Sequence, residues 1–159
     1  MTNEEIFGVT VLNSWRLVIN RFNKTLSELS DEQLQQQAAQ GGSRVFYLLG
    51  HLTAMHDRMF PLLGIGERLH TELDEPYIAN PDRGLADPLS ATELRRAWAE
   101  VNDKLTSPSK GSHWKTGCKS TQQFPMRISS RILKRNRLAV VMKRTSHASY
   151  HAGQAALTK

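Results

Sequence analysis

The chain has 159 residues, of which 39% are hydrophobic and 23% are charged, as is ordinary for a folded soluble domain with a core that needs neither a disulfide nor a metal. No apolar run approaches the ~20 residues that cross a bilayer, which excludes a membrane-spanning protein. The net charge of +6 is uneven, since residues 1–100 hold nine Lys and Arg against fourteen Asp and Glu, whereas residues 101–159 hold twelve against one.

The N-terminal region predicts one long helix followed by one short helix. Apolar residues recur at helical spacing behind the T-x-x-E capping pattern of Thr2 and Glu5, which predicts a first helix over about residues 3–27. Ser30 and Gln33 repeat the capping pattern and start a short helix, which the following double glycine must end.

A second long helix and a long connection follow. Ser43 is expected to cap this helix, whose apolar face continues until Gly64 closes it. Residues 64–89 are rich in Gly, Pro, Asp and Asn and predict a long ordered loop rather than regular structure. Loops of this length are often functional.

The C-terminal part predicts two further helices around a basic loop. Ser90 and Glu93 form a third capping box, and the helix that they start ends before Pro108. The segment 107–135 is basic, contains the single cysteine and predicts a second loop. Asn136 is expected to cap the last helix, which runs to the chain end.

Four long helical patterns without convincing strand alternation predict an all-α fold. The expected architecture is an antiparallel four-helix bundle with two long connections, formed as a single domain over residues 1–159. Such bundles hold metal and ligand sites between facing helices. No export signal is visible and the lone cysteine cannot form an internal disulfide, so we expect a cytoplasmic protein.

Two histidines four positions apart, His147 and His151 in RTSHASYHAGQAAL, are the candidates for a metal site on the last helix. Residues at i and i+4 lie one above the other, so both imidazoles can reach one ion. The alternative is a packed helix that carries two half-exposed imidazoles. A third ligand should come from another helix, where periodicity does not choose between His51 and His56.

The sequence YLLGHL in the second long helix and NRLAVVMKRTSHASYHAGQAAL in the last one resemble the DinB-like superfamily of small bacterial four-helix metalloproteins, which includes the YfiT-like thiol transferases. The resemblance extends over residues 1–159 in helix order, loop placement and histidine positions. It implies that His51, His147 and His151 hold the metal, and Gln154 belongs to the Gly-Gln pair that commonly follows the last ligand.

The resemblance also implies a metal-dependent activity. Three neutral imidazoles leave coordination positions open on a divalent ion, expected to be zinc or nickel, which can activate water or hold a thiol as thiolate. Transfer of a low-molecular-weight thiol to an electrophile is favoured, and metal-dependent hydrolysis or isomerisation are related options. Arg144, one turn before His147, and Gln154 are the candidate substrate-binding residues, and no catalytic residue is assigned.

The sequence leaves other functions and partners open. A non-catalytic metal-binding stress-response protein is the main alternative. The basic C-terminal third favours an anionic thiol as substrate, although it is also typical of a solvated surface. Nucleic acid is not expected, because aromatic residues rarely interleave with the basic ones and no nucleic-acid motif is present. We expect a homodimer, as the resemblance implies, and no membrane partner.

Overall fold

A computed structural model describes residues 3–106 and 137–158 of the chain. The expected caps Thr2 and Asn136 and the basic segment 107–135 lie outside these residues. The predictions made for them therefore stay predictions.

The regular elements of the described part are all helical, which confirms the all-α class. The antiparallel four-helix topology stays a prediction. Among the described helices, none combines the length and the hydropathy of a bilayer-crossing segment. The α-helices, in chain order, are α1 (Asn3–Ser27), α2 (Asp31–Leu34), α3 (Val45–Asp57), α4 (Met59–Leu63), α5 (Ala91–Thr106) and α6 (Arg137–Ala156).

Local hydrogen bonds start two of these helices as the sequence predicts. At α2, the Ser30 N–H donates to Gln33 Oε1 at 2.9 Å, and the Gln33 N–H donates to Ser30 Oγ at 3.2 Å. At α5, the Ser90 N–H donates to Glu93 Oε2 at 2.8 Å, and the Glu93 N–H donates to Ser90 Oγ at 3.3 Å. Both capping boxes satisfy N–H groups that have no partner within the helix.

The second long helix starts differently from the prediction. Its N-cap is Arg44 rather than Ser43, and Arg44 provides no side-chain cap. The Arg44 backbone N–H donates to Asp82 Oδ2 at 2.7 Å, and its guanidinium pairs with Asp82 and Asp87. Carboxylates from a distant part of the chain thus anchor this helix start.

The same predicted helix is interrupted once. The helix α3 ends at Asp57, and α4 begins at Met59. Pro61 explains the break, because proline has no N–H to donate to the carbonyl of Asp57 four residues earlier and its ring clashes with that carbonyl. Gly64 ends α4 in the left-handed conformation with φ of 69°, which confirms the predicted end.

One hydrophobic core unites the helices. The helix α6 packs along α1 and against α3, and α5 packs on α3. This arrangement brings the face of α3 that carries His51 against α6. The largest buried side chains of the core include Trp15, Phe22, Phe46, Leu49, Leu52, Phe60, Tyr77 and Leu94.

The α4–α5 connection, residues 64–90, is more regular than predicted. It contains a 3₁₀ turn at Thr71–Leu73 and a π-helical turn at Glu75–Ala79. Its Gly, Pro, Asp and Asn content correctly indicates a break between long helices but not these turns, which form where the connection packs on α3. The prediction of a loop without regular structure was therefore wrong for these two turns.

The α4–α5 connection is anchored at both ends of α3. Near the end of α3, the Leu69 N–H donates to the buried carboxylate of Asp57 at 2.7 Å. Near its start, the Tyr47 hydroxyl donates to the Asn80 carbonyl at 2.7 Å. The π-helical turn consequently lies against the middle of α3, where His51 is located.

Candidate metal centre

Three imidazoles converge where α3 packs against α6. His51 comes from α3, and His147 and His151 come from successive turns of α6. The Nε2 atom of His147 lies 3.2 Å from that of His51 and 3.1 Å from that of His151. A tetrahedral zinc site with metal–nitrogen bonds of ~2.0–2.1 Å separates neighbouring nitrogens by about 3.3 Å. The spacing of these nitrogens therefore fits a three-histidine metal site, and all three ligand atoms lie within 4.8 Å of one another.

Two of the imidazoles are oriented by hydrogen bonds to their other nitrogen. His51 Nδ1–H donates to the Tyr77 carbonyl at 2.7 Å, and His151 Nδ1–H donates to Gln154 Oε1 at 2.6 Å. A neutral imidazole has one N–H, so a proton on Nδ1 leaves the Nε2 lone pair free for a metal. Gln154 thus orients a candidate ligand, and its predicted role in substrate binding stays a prediction.

His147 is supported differently. Its Nδ1 atom is buried and has no hydrogen-bond partner among the described residues. Its Nε2 atom faces the Nε2 atoms of His51 and His151, both of which are acceptors in the tautomers that their Nδ1–H bonds impose. One N–H on His147 Nε2 could not donate a full hydrogen bond to both of these acceptors. A cation bound between the three rings would accept all the converging lone pairs at once.

The imidazoles of the centre are held in the neutral form that metal binding requires. Burial, then the charges of His151, His51 and Arg144, lowers the pKa of His147 to about 4. Burial is also the main cause that lowers the pKa of His51 and that of His151. Little proton competition at these nitrogens is therefore expected at neutral pH.

A sequence profile of the DinB superfamily matches residues 14–155. The chain belongs to the DinB superfamily. The matched range contains α3 and α6 and hence all three imidazoles, and the resemblance seen in YLLGHL and HAGQ is confirmed at the level of the superfamily. A comparison with curated proteins returns no match.

A cation lies beside the DinB-superfamily histidines. Arg144 is half-buried one turn before His147, and its guanidinium makes no hydrogen bond or ion pair with any residue that the structure describes. Burial, then the positive charge of Arg58, lowers the pKa of Arg144, and its charge in turn helps to lower the pKa of His51. A guanidinium remains charged in such surroundings, so the position favours an anionic group.

The second α3 histidine of this DinB-superfamily chain, His56, is not part of the centre. Its ring is fully buried between Trp15 and Trp98, at centroid distances of 4.6 and 5.0 Å, and its Nδ1–H donates to Asn102 Oδ1 at 3.0 Å. His56 therefore faces α1 and α5, whereas His51 faces α6. Of the two candidates that periodicity left open, the structure brings His51 to the pair on α6.

Tyr77 is the residue of this DinB-superfamily site that sequence reasoning missed. It contributes a backbone carbonyl, and a backbone acceptor leaves no trace in residue type. The one local signal is Gly50, directly before His51 in YLLGHL, because a glycine inside a helix often marks the close approach of another group.

Proposed function

We propose that this protein binds a divalent ion, zinc or nickel, through His51, His147 and His151 and transfers an anionic low-molecular-weight thiol to an electrophile. The proposed scaffold is an antiparallel four-helix bundle in a cytoplasmic homodimer. One observation carries the proposal: the Nε2 atoms of three imidazoles converge next to Arg144, whose guanidinium has no ion-pair partner among the described residues.

The chemistry divides between the ion and the side chains. A divalent ion held by three imidazoles would have coordination positions left for a ligand and would favour the thiolate form of a coordinating thiol at neutral pH. The three histidines would hold the ion, and Tyr77 and Gln154 orient two of them. In the transfer, the thiol loses its proton to solvent, its sulfur forms a bond to the electrophilic carbon, and the bond between that carbon and the leaving group breaks, its electron pair departing with the leaving group.

Arg144 is the proposed binding residue for the anionic group of the thiol. An arginine pairs with a carboxylate through two parallel N–H···O bonds, which orients the ligand as well as binding it. No carboxylate among the described residues forms an ion pair with the Arg144 guanidinium. The nearby guanidinium of Arg58 already forms an ion pair, with 2.8 Å between its nitrogen and Asp74 Oδ2. Of the two arginines, Arg144 is therefore the one available to pair with an anionic ligand.

The first experiment is elemental analysis of the purified protein, followed by thiol binding to the metal-loaded form. We compare 3-mercaptopropionate with 3-mercaptopropionamide, which differ in charge but little in size. The anionic thiol is expected to bind about tenfold more tightly, as about 1.4 kcal/mol from one charge-assisted pair implies. Arg144→Met should remove this preference, and Arg96→Met, which changes an exposed arginine of α5, should retain it.

Turnover distinguishes the enzyme from its alternative. The metal-loaded protein is assayed for thioether formation with a panel of thiols and with electrophiles such as 1-chloro-2,4-dinitrobenzene. Formation above the rate of the metal-free protein supports thiol transfer. Stoichiometric metal binding without turnover across the panel would instead support the non-catalytic metal-binding stress-response protein.

A further inference from the structure

Tyr77 is held in place by its buried side chain. Its ring is 1% exposed and lies against Phe46 and Tyr47, at centroid distances of 6.5 and 5.8 Å. Its hydroxyl donates to Asp87 Oδ1 at 3.3 Å. The ring therefore has a fixed position on α3, and the backbone of the π-helical turn is fixed with it.

Gly50 makes this position available. A Cβ atom at residue 50 would lie 2.6–2.7 Å from three ring carbons of Tyr77, closer than van der Waals contact allows. Because the ring is enclosed by neighbours, it cannot swing aside as an exposed side chain would. Glycine at position 50 is thus required for Tyr77 to lie flat on α3.

The same packing places the Tyr77 carbonyl next to His51 of the metal centre. With the ring against Gly50, the carbonyl accepts a hydrogen bond from the Nδ1–H of His51, the next residue, at 2.7 Å. The carbonyl comes from a π-helical turn, a local distortion that is frequent at functional sites. One glycine therefore links the packing of the α4–α5 connection to the orientation of a candidate ligand.

We propose that Gly50 and Tyr77 are positioning residues of the metal centre: their contact presents the Tyr77 carbonyl to His51 and holds that imidazole as the Nδ1–H tautomer with Nε2 toward the ion. The inference rests on the proposed metal site but not on the proposed reaction. Neither residue touches the ion or the substrate. Losing such an outer hydrogen bond typically weakens metal affinity by about 10–100-fold.

Gly50→Ala is the decisive variant, and Gly153→Ala is its matched control. Both glycines lie in helices within two residues of a candidate ligand, but a Cβ atom at Gly153 meets no atom within 4 Å. Zinc affinity is measured by competition with a chromophoric chelator. Gly50→Ala is expected to lose about 10–100-fold, whereas Gly153→Ala should stay near the wild type. Equal affinities for the wild type and Gly50→Ala, or equal losses in both variants, would overturn the proposal.

The tautomer of His51 is an observable that a general loss of stability would not change. Long-range ¹H–¹⁵N correlation spectra of the metal-free protein at pH 8 distinguish an imidazole protonated on Nδ1 from one protonated on Nε2. The wild type should show His51 protonated on Nδ1, and Gly50→Ala should show a mixture. An unchanged tautomer in Gly50→Ala would overturn the proposal even if metal affinity fell.

Tyr77→Leu keeps the test decisive if Gly50→Ala does not fold. The leucine variant retains the backbone carbonyl but loses the ring that fixes it, so we expect a mixed His51 tautomer and weaker zinc binding. The double variant with Gly50→Ala should be no worse than Tyr77→Leu alone, because the ring that the new Cβ atom would meet is absent. Additive losses, or a wild-type tautomer in Tyr77→Leu, would refute positioning by this contact. If the wild type bound no metal, the proposed function would be refuted. The positioning contact would still be tested separately, because the His51 tautomer is measured in the metal-free protein.

Discussion

Acidification is expected to destabilise the metal-free protein through His56, the histidine enclosed by Trp15 and Trp98. Burial lowers its pKa to about 3 from 6.5, against the opposing effect of its hydrogen bond to Asn102. Below pH 6.5 the unfolded chain takes up a proton at this residue, whereas the folded chain keeps it neutral. Stability is therefore retained above pH 6.5 and lost as the pH falls from 6.5 toward 3.

The size of this loss follows from the two pKa values of His56. At 1.36 kcal/mol per pKa unit, the linkage relation gives about 2 kcal/mol of lost stability between pH 7.5 and pH 5 for this one group. The side chain is 0% exposed, so solvent does not screen the effect. A loss of this size is a large share of the ~5–15 kcal/mol that stabilises a typical domain.

Urea unfolding of the metal-free protein at pH 7.5 and pH 5 measures this effect in the wild type and in His56→Asn. Asparagine retains an N–H donor for Asn102 and does not titrate, and the missing ring lowers stability at both pH values alike. The wild type is expected to lose about 2 kcal/mol more than the variant. Contributions from His51, His147 and His151 are common to both proteins and cancel. Equal pH dependences would refute the reasoning.

Four further predictions test the site and the assembly. His151→Ala should abolish stoichiometric metal binding with little change in far-UV circular dichroism, because a chain of this length does not need an ion to fold. His56→Asn should retain the metal. The ligands would be wrongly assigned if His151→Ala kept its metal, or if His56→Asn lost the metal while His51→Ala kept it. The advantage of an anionic thiol should shrink with added salt, on the scale of a ~10 Å Debye length near 0.1 M, and a salt-independent affinity would contradict a role for the charge of Arg144. Light scattering at micromolar concentration should give the mass of a dimer, and a monomer mass would rule out the expected homodimer.

Local sequence predicted the features that depend on neighbours within one helical turn. The capping boxes at Ser30 and Ser90 form because donor and acceptor are three residues apart. The pair His147 and His151 shares a face because of the helical repeat alone. The left-handed end at Gly64 likewise needs only the conformational freedom of glycine.

Tertiary packing decided the rest. Whether His51 or His56 joins the pair on α6 depends on which helices cover each side of α3, and periodicity within α3 carries no information about its neighbours. Arg44 replaces Ser43 as the N-cap because Asp82, 38 residues away, reaches its N–H. The Tyr77 carbonyl reaches His51 because the α4–α5 connection folds back over α3, and a backbone carbonyl is the same group in every residue. The starts of α2 and α5 were therefore readable from neighbouring residues, whereas the start of α3, its ligand and the supporting carbonyl depended on contacts between segments distant in sequence.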